Sequence, residues 1–388
     1  MRIGVLTHSA GDDNYGQILQ CYALQQYLKQ IGQQPFLIQH KVDDTPAPET
    51  MALLKKLLRL VLELVSPRHK KIYDELRAIK KQRDLNSVRN KVRDFQKFKS
   101  ENIELSKFYG RCEDLLSNPP KADVYIVGSD QVWNLSVNSN NALAWYLQFG
   151  SKDIKRISYA ASIGRQLDES EYEQFRAFLE GFTAVSVRDT TSLECCKKAG
   201  VMNAQMVLDP TMLVTQNVYM PFVQKEYLGK PYLFLYYLNV INKEDLAWNQ
   251  IELFLKDNDI ELKCVSSSGY YPAFDLIPGH DNLLLTIPEW LNAIYYSDYV
   301  VTTSFHGIAI SIMMHKPFVA ILLKGMYSGG NGRITSLLSS LGLSVRILTA
   351  DKTISEILKM QIDWTSVDKL LAEQREQSEQ FLQEALKI

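Results

Sequence analysis

The sequence has few cysteines, no long apolar run and almost no net charge. Its five cysteines show no C-x-x-C spacing, so neither a disulfide framework nor a zinc site is predicted and a reducing compartment fits best. No stretch approaches the roughly 20 apolar residues that cross a bilayer. The first apolar run, residues 3–6, is too short for the core of a signal peptide. Together these absences predict a cytoplasmic protein.

The common nucleotide-binding motifs are also missing. The chain contains neither G-x-G-x-x-G nor a Walker loop, so a standard dinucleotide or P-loop site is unsupported. No spacing of residues indicates a metal site or a Ser-His-Asp triad, and we expect neither a metal nor a resident cofactor. The net charge of −1 gives the whole chain no electrostatic preference for nucleic acid.

Positive charge is nevertheless concentrated in residues 51–100, which contain 15 Lys and Arg against 5 Asp and Glu. Two interpretations are open: a helical hairpin that covers the first domain, or an interfacial helix on anionic lipid at the inner face of the membrane. RNA binding is disfavoured because most of the segment lacks interleaved aromatics. The apolar stripe of this predicted helix is formed by Leu54, Leu57, Leu58, Val61, Leu62 and Val65.

Short apolar strands alternate with helical segments in the first half of the chain. Strand-like runs at 3–6 and 36–38 flank helical spacing over 17–31, a βαβ unit that predicts a parallel sheet. A break rich in proline and glycine lies between Asp209 and Tyr232, and a second alternation follows it.

We therefore predict an α/β protein with two doubly wound, Rossmann-like domains that face each other across a cleft. The first domain spans 1–215 and carries the basic helical insert at about 45–110. The second spans 230–365. The C-terminal helix, 366–388, is predicted to pack back on the first domain.

Clusters of polar residues follow the predicted strands directly. Because ligands bind beyond the carboxyl ends of the strands in open α/β sheets, these clusters are predicted to converge on the cleft. The four clusters are Asn14-Tyr15-Gly16, Gly128 to Trp133, Arg188-Asp189 and Ser304 to Gly307.

Several of these residues suit an anion. His306 lies at the start of a helix predicted over 307–314, where free backbone N–H groups favour negative charge. The Arg188 guanidinium suits bidentate capture of phosphate or carboxylate, and Lys324 and Arg333 lie in a glycine-rich loop. Each position also has a structural interpretation: Arg188 could form a surface ion pair with Asp189.

Two further positions have structural interpretations. The cluster at Asn14 could simply be a turn that caps a helix. Trp133 could belong to the core.

At these clusters the chain resembles the polysaccharide pyruvyl transferase family. The resemblance runs from near residue 1 to about residue 345, and the basic insert and last helix lie outside it. The stretches that carry it are NYG at 14–16, QCYALQ at 20–25, VGSDQVWN at 127–134, YAAS at 159–162, VSVR at 185–188, LDPT at 208–211 and SFHG at 304–307.

The resemblance implies a GT-B-like fold, phosphoenolpyruvate as donor and a saccharide as acceptor. It assigns Arg188 and His306 to the donor. Some family members carry Arg where this chain has Ser304, and we expect Lys324 or Arg333 to supply that charge. His306 is also a candidate for proton transfer, with Asp130 and Asp209 as candidate bases. Ser304 and Gly307 complete the donor loop, and the acceptor is assigned to Asn14, Tyr15, Gly16, Ser129, Gln131 and Trp133.

The implied reaction moves the enolpyruvyl group of phosphoenolpyruvate onto a sugar of a cell-surface polysaccharide, such as a capsule or exopolysaccharide, or its lipid-linked precursor, and forms a pyruvate ketal. Two alternatives stay open. One is a GT-B-type glycosyltransferase that uses a nucleotide sugar. The other is a non-catalytic protein of glycan assembly.

Overall fold

The structure is a computed structural model of the protein. It describes residues 1–11, 14–40, 70, 77, 84–85, 87–134, 142–224, 229–267, 276–277, 279–280 and 282–387. The apolar stripe of the predicted membrane helix, 54–65, lies outside the described residues, so both interpretations of it stay predictions. No helix in the described part of the chain is both long and apolar enough to span a membrane.

The first half of the chain forms a parallel sheet of seven strands in the order β3-β2-β1-β4-β5-β6-β7. Strands β1 and β4 lie at its centre, and nearly all of their residues are buried. That burial explains why their sequences are short continuous apolar runs. The strands are β1 (Arg2–Leu6), β2 (Gln34–His40), β3 (Leu105–Tyr109), β4 (Val124–Val127), β5 (Lys155–Ala161), β6 (Ala184–Val187) and β7 (Gln205–Met206).

The second half forms a separate parallel sheet of four strands in the order β11-β10-β8-β9. This sheet confirms the α/β class and the two-sheet architecture. Its strands are β8 (Tyr232–Leu238), β9 (Glu261–Ser267), β10 (Tyr299–Thr302) and β11 (Phe318–Ala320).

Helices connect the strands and cover the sheets. Two of them matter most for the site, because their N-termini follow β10 and β11. The helices are α1 (Tyr15–Gln30), α2 (Phe95–Asn102), α3 (Cys112–Ser117), α4 (Ala142–Trp145), α5 (Tyr172–Leu179), α6 (Thr190–Lys198), α7 (Pro210–Leu213), α8 (Trp248–Asn258), α9 (Ile287–Tyr295), α10 (Phe305–Met313), α11 (Asn331–Ser340), α12 (Ile354–Lys359) and α13 (Trp364–Leu386).

The last helix packs against the first half of the chain, as predicted. The hydroxyl of Ser378 accepts a hydrogen bond from the backbone N–H of Leu208 at 2.9 Å, and Arg375 Nε donates to the carbonyl of Met212 at 3.1 Å. Buried apolar residues on the same helix, among them Phe381 and Leu382, join the main core.

Tyr15 and Arg93 are among the side chains that join the two halves. Tyr15, from the first half, donates to the carbonyl of Leu285 at 2.7 Å and stacks on Trp290 with ring centroids 4.9 Å apart. Arg93, near the end of the basic insert, donates to the Tyr15 hydroxyl at 3.2 Å and to the Ser266 carbonyl at 2.6 Å. This part of the insert therefore supports the interface between the halves.

Some element boundaries differ from the sequence-based expectation. The strand predicted over 318–323 ends at Ala320, and the helix predicted to begin at Gly307 begins at Phe305 because Ser304 caps it. Strand β3 was not predicted, because it leaves Leu105 and Phe108 exposed at an edge of the sheet and shows no clean alternation.

Candidate functional site

A cavity of about 360 Å³ opens between the carboxyl ends of the two sheets. From the first half it is lined by loops that follow β1 and β4 and by His40 at the end of β2, and from the second by loops that follow β8, β10 and β11. Parallel strands bring their carboxyl ends to one edge, so these loops meet there. The candidate site residues among its lining are Asn14, Asp130, Gln131, Ser304, His306 and Arg333.

Arg188 lies behind this cavity at the centre of a buried polar network. Its Nη2 donates to Asp130 Oδ1 at 2.8 Å, and its Nη1 donates to Asp209 Oδ2 at 2.7 Å. The side chain is fully buried, and the ring of Phe305 from the second half covers it at 4.8 Å. Arg188 faces a second cavity, of about 250 Å³, instead of the first.

The network keeps both carboxylates ionised. Burial by itself would raise the pKa of Asp209, but His306 and Arg188 together hold it well below the usual range. Burial likewise opposes ionisation of Asp130, yet Arg188 and the other nearby cations hold its pKa well below normal. Opposite charges at these distances outweigh the cost of desolvation.

His306 lines the cavity and contacts this network. Its Nε2 lies 3.7 Å from Asp209 Oδ2, within ion-pair range but too far for a hydrogen bond. On its other side, helix α1 approaches so closely that a Cβ on Gly16 would lie 2.0 Å from His306 Nδ1. Gly16 therefore makes room for the imidazole. This role differs from the contact with the acceptor that was predicted for Gly16.

Two helix N-termini meet at the cavity. Ser304 caps α10 by accepting a hydrogen bond from Gly307 N at 3.2 Å. Arg333 lies in the first turn of α11, and its Nη1 is 3.5 Å from Asp130 Oδ1. Burial, followed by repulsion from Arg188, lowers the pKa of Arg333 to about 10, so it stays charged at neutral pH. The dipoles of α10 and α11 and the guanidinium of Arg333 together favour an anion in this part of the cavity.

Other predicted site residues lie away from the cavity. Lys324 is exposed, and its Nζ is 3.7 Å from Asp245 instead of near His306. Trp133 is fully buried and stacks on Tyr146 at 5.6 Å. Gly307 faces the core, where a Cβ would lie 2.6 Å from Thr302 Oγ1. None of these three residues lines the cavity in which their contacts with substrate were predicted.

Two more of the predicted acceptor residues serve the framework around the cavity. Ser129 is buried, and its hydroxyl donates to Asp209 Oδ2 at 2.7 Å. Tyr15 lies in the interface between the halves, as described above.

Sequence reasoning missed several residues that line the cavity, among them His8, Trp145 and Asn239. His8 and Asn239 follow β1 and β8 directly, so the rule that located the other clusters would also have found them. Trp145 belongs to the short helix α4 and carries no such signal.

Solved structures with the same fold include two UDP-sugar enzymes. The UDP-N-acetylglucosamine 2-epimerase from Rickettsia bellii matches with a TM-score of 0.54 and 10% identity over 99% of this chain and 95% of that chain. The Methanocaldococcus jannaschii UDP-GlcNAc 2-epimerase, in complex with UDP-GlcNAc and UDP, matches with a TM-score of 0.50 and 12% identity. This match covers 96% of this chain and 99% of that chain. At this identity the similarity shows the GT-B-like fold alone.

Among curated proteins, none matches this chain in sequence. The family model for polysaccharide pyruvyl transferase, by contrast, matches residues 14–324. That match covers strands β2 to β11 and includes the lining loops that follow β4, β8 and β10. The chain therefore belongs to the polysaccharide pyruvyl transferase family.

Proposed function

We propose that the protein transfers the pyruvyl group of phosphoenolpyruvate to two hydroxyls of a sugar in a cell-surface polysaccharide or its lipid-linked precursor. Family membership supports the transferase class. The observation that carries the choice of donor is that Arg333 and His306, at the N-termini of α11 and α10, line one cavity. That combination suits a small molecule with both phosphate and carboxylate.

The charges around the cavity define where the donor would sit. Arg188 is held by two carboxylates, whereas among the described residues Arg333 pairs with one carboxylate, that of Asp130, at the longer distance of 3.5 Å. A donor phosphate or carboxylate would therefore compete more easily for Arg333 than for Arg188. We infer that Arg333 binds the donor directly and that Arg188 fixes Asp130 and Asp209 in place.

The proposed reaction balances without an added cofactor. One proton adds to the methylene carbon of the donor, and the first sugar hydroxyl attacks C2 as positive charge develops there. The C2–O bond to phosphate then breaks, and the second hydroxyl closes the ketal. Of the two hydroxyl protons released, one balances the proton taken up by carbon and the other is carried by phosphate. His306 is suited to these proton transfers because its imidazole lines the cavity, and an imidazole nitrogen can donate or accept a proton.

The test is phosphate release from phosphoenolpyruvate in the presence of candidate glycans, with the ketal detected by mass spectrometry. We expect His306→Ala to lower kcat by about 100-fold or more, while thermal unfolding stays cooperative. His315→Ala, on the surface, is the matched control. Release of nucleotide from a UDP-sugar, with no consumption of phosphoenolpyruvate, would instead identify a glycosyltransferase.

A further inference from the structure

The cavity changes in chemical character along its length. A continuous series of contacts runs from Arg333 to Asp130 at 3.5 Å, then through Gln131, whose carbonyl lies 3.3 Å from His8 Nε2. The His8 ring in turn packs against Trp145, with ring centroids 4.6 Å apart. The charged groups are thus at one end, and two aromatic rings are at the other.

The His8 end is polar but uncharged at neutral pH. Burial lowers the pKa of His8 more than Asp130 and the Gln131 carbonyl raise it, so the ring is neutral. Because a carbonyl oxygen can only accept, the Nε2–H of His8 donates to Gln131. Amide side chains of Asn14 and Gln17 line the same cavity. Neutral donors and acceptors of this kind suit hydroxyl groups better than an anion.

Trp145 adds an apolar surface and an unused donor. The residue is 1% exposed and lines the cavity, and its Nε1–H has no hydrogen-bond partner among the residues that the structure describes. Buried donors are normally paired. The indole N–H groups of Trp133 and Trp290 are unpaired too within the described part of the chain, but Trp145 lines the cavity, where a ligand can supply its partner. A sugar ring combines an apolar face with hydroxyl oxygens and matches both properties.

We propose that the His8–Trp145 end of the cavity is the subsite for the acceptor, a neutral hexopyranose that presents two hydroxyls. This inference rests on the proposed function for the direction of transfer, because it places the hydroxyls beside the donor at Arg333. Tyr15 and Trp133, which the sequence suggested as acceptor contacts, are buried in the interface and the core. The proposed acceptor contacts are instead residues that line the cavity.

The experiment measures sugar binding separately from turnover. Saturation-transfer NMR with the methyl glycosides of glucose, galactose and mannose gives Kd, and phosphate release gives KM for phosphoenolpyruvate. We expect His8→Phe and Trp145→Phe each to weaken binding of the preferred glycoside about five- to tenfold, as loss of a buried hydrogen bond requires. KM for phosphoenolpyruvate should stay within about twofold.

Two matched variants provide controls. His280→Phe and Trp364→Phe change the same residue types in His–Trp pairs outside the cavity, and both should bind the glycoside like the wild type. Thermal unfolding checks that each variant folds, and the two cavity variants test the subsite independently.

The outcomes separate this inference from the proposed function. Unchanged glycoside binding in both cavity variants, or no binding of any of the three glycosides by the wild type, overturns the subsite. If the variants lose glycoside binding but the wild type does not consume phosphoenolpyruvate, the subsite stands and the proposed donor is wrong.

Discussion

The Arg188 side chain shows how a cation in a sequence acquires its role from its neighbours. An arginine after a strand suits phosphate capture, but here two carboxylates hold it at 2.7 and 2.8 Å. Arg333, 145 positions further along the chain, has the looser ion pair and faces the cavity. We therefore propose different roles for the two arginines: Arg188 organises the network, and Arg333 binds the donor.

Arg333 and Lys324 provide a direct test of that assignment. We expect Arg333→Ala to raise KM for phosphoenolpyruvate about 10- to 100-fold, the loss of a charge-assisted hydrogen bond. Lys324→Ala also removes one positive charge, but from an exposed side chain that pairs with Asp245. This variant should keep KM within about twofold of the wild-type value. Steady-state phosphate release measures both. A larger effect at Lys324 would show that the glycine-rich loop, and not α11, supplies the donor contact.

Gly16 tests the position of His306. A methyl group at Gly16 would overlap the imidazole, with a Cβ 2.0 Å from Nδ1, so the ring must move. We expect Gly16→Ala to lower kcat by about 100-fold, as a displacement of about 1 Å at a reacting group does. Gly181→Ala is the control, because its nearest neighbour would be 3.8 Å away. Wild-type kcat in a folded Gly16→Ala protein would contradict a role for His306 in proton transfer.

At the scale of elements, α10 links strand β10 to the site. Ser304 accepts from Gly307 N and so fixes the first turn of the helix that carries His306. Thr286 forms an equivalent cap at the start of α9, outside the cavity. The two caps differ in location and share the same chemistry.

The caps can therefore be compared by mutation. We expect Ser304→Ala and Thr286→Ala each to lower the free energy of unfolding by about 1 kcal/mol, measured by urea denaturation. Only Ser304→Ala should also weaken the binding of phosphoenolpyruvate, because α10, unlike α9, directs its N-terminus at the cavity. Equal donor affinity in the two variants would exclude α10 from the anion site.

At the scale of the whole molecule, the Asp130–Arg188–Asp209 network links stability to pH. Both carboxyl pKa values are depressed in the folded state. Their contribution is therefore fully present above the unfolded pKa of about 4 and is lost as the pH falls toward the folded values. We expect the free energy of unfolding to decline below about pH 4 on their account.

Asp209→Asn tests this link. At pH 7 the substitution should cost about 3–5 kcal/mol, since it leaves a buried guanidinium with one carboxylate. Below about pH 4 the variant should lose stability less steeply than the wild type. Asp257→Asn, on the exposed face of α8, makes the same change in charge and is the control. Parallel pH profiles for wild type and Asp209→Asn would show that the network does not set acid stability.

The sequence by itself determined the class of the fold and the region of the site. Short apolar runs and helical spacing are local signals, and polar residues after strands must converge because parallel strands share one edge. Only the tertiary structure decided which residues meet. It paired Arg188 with Asp130 and Asp209, placed Gly16 against His306, buried Tyr15 and Trp133, and brought His8 to Trp145. Such contacts join residues that are up to hundreds of positions apart in the sequence. A local sequence pattern therefore does not indicate them.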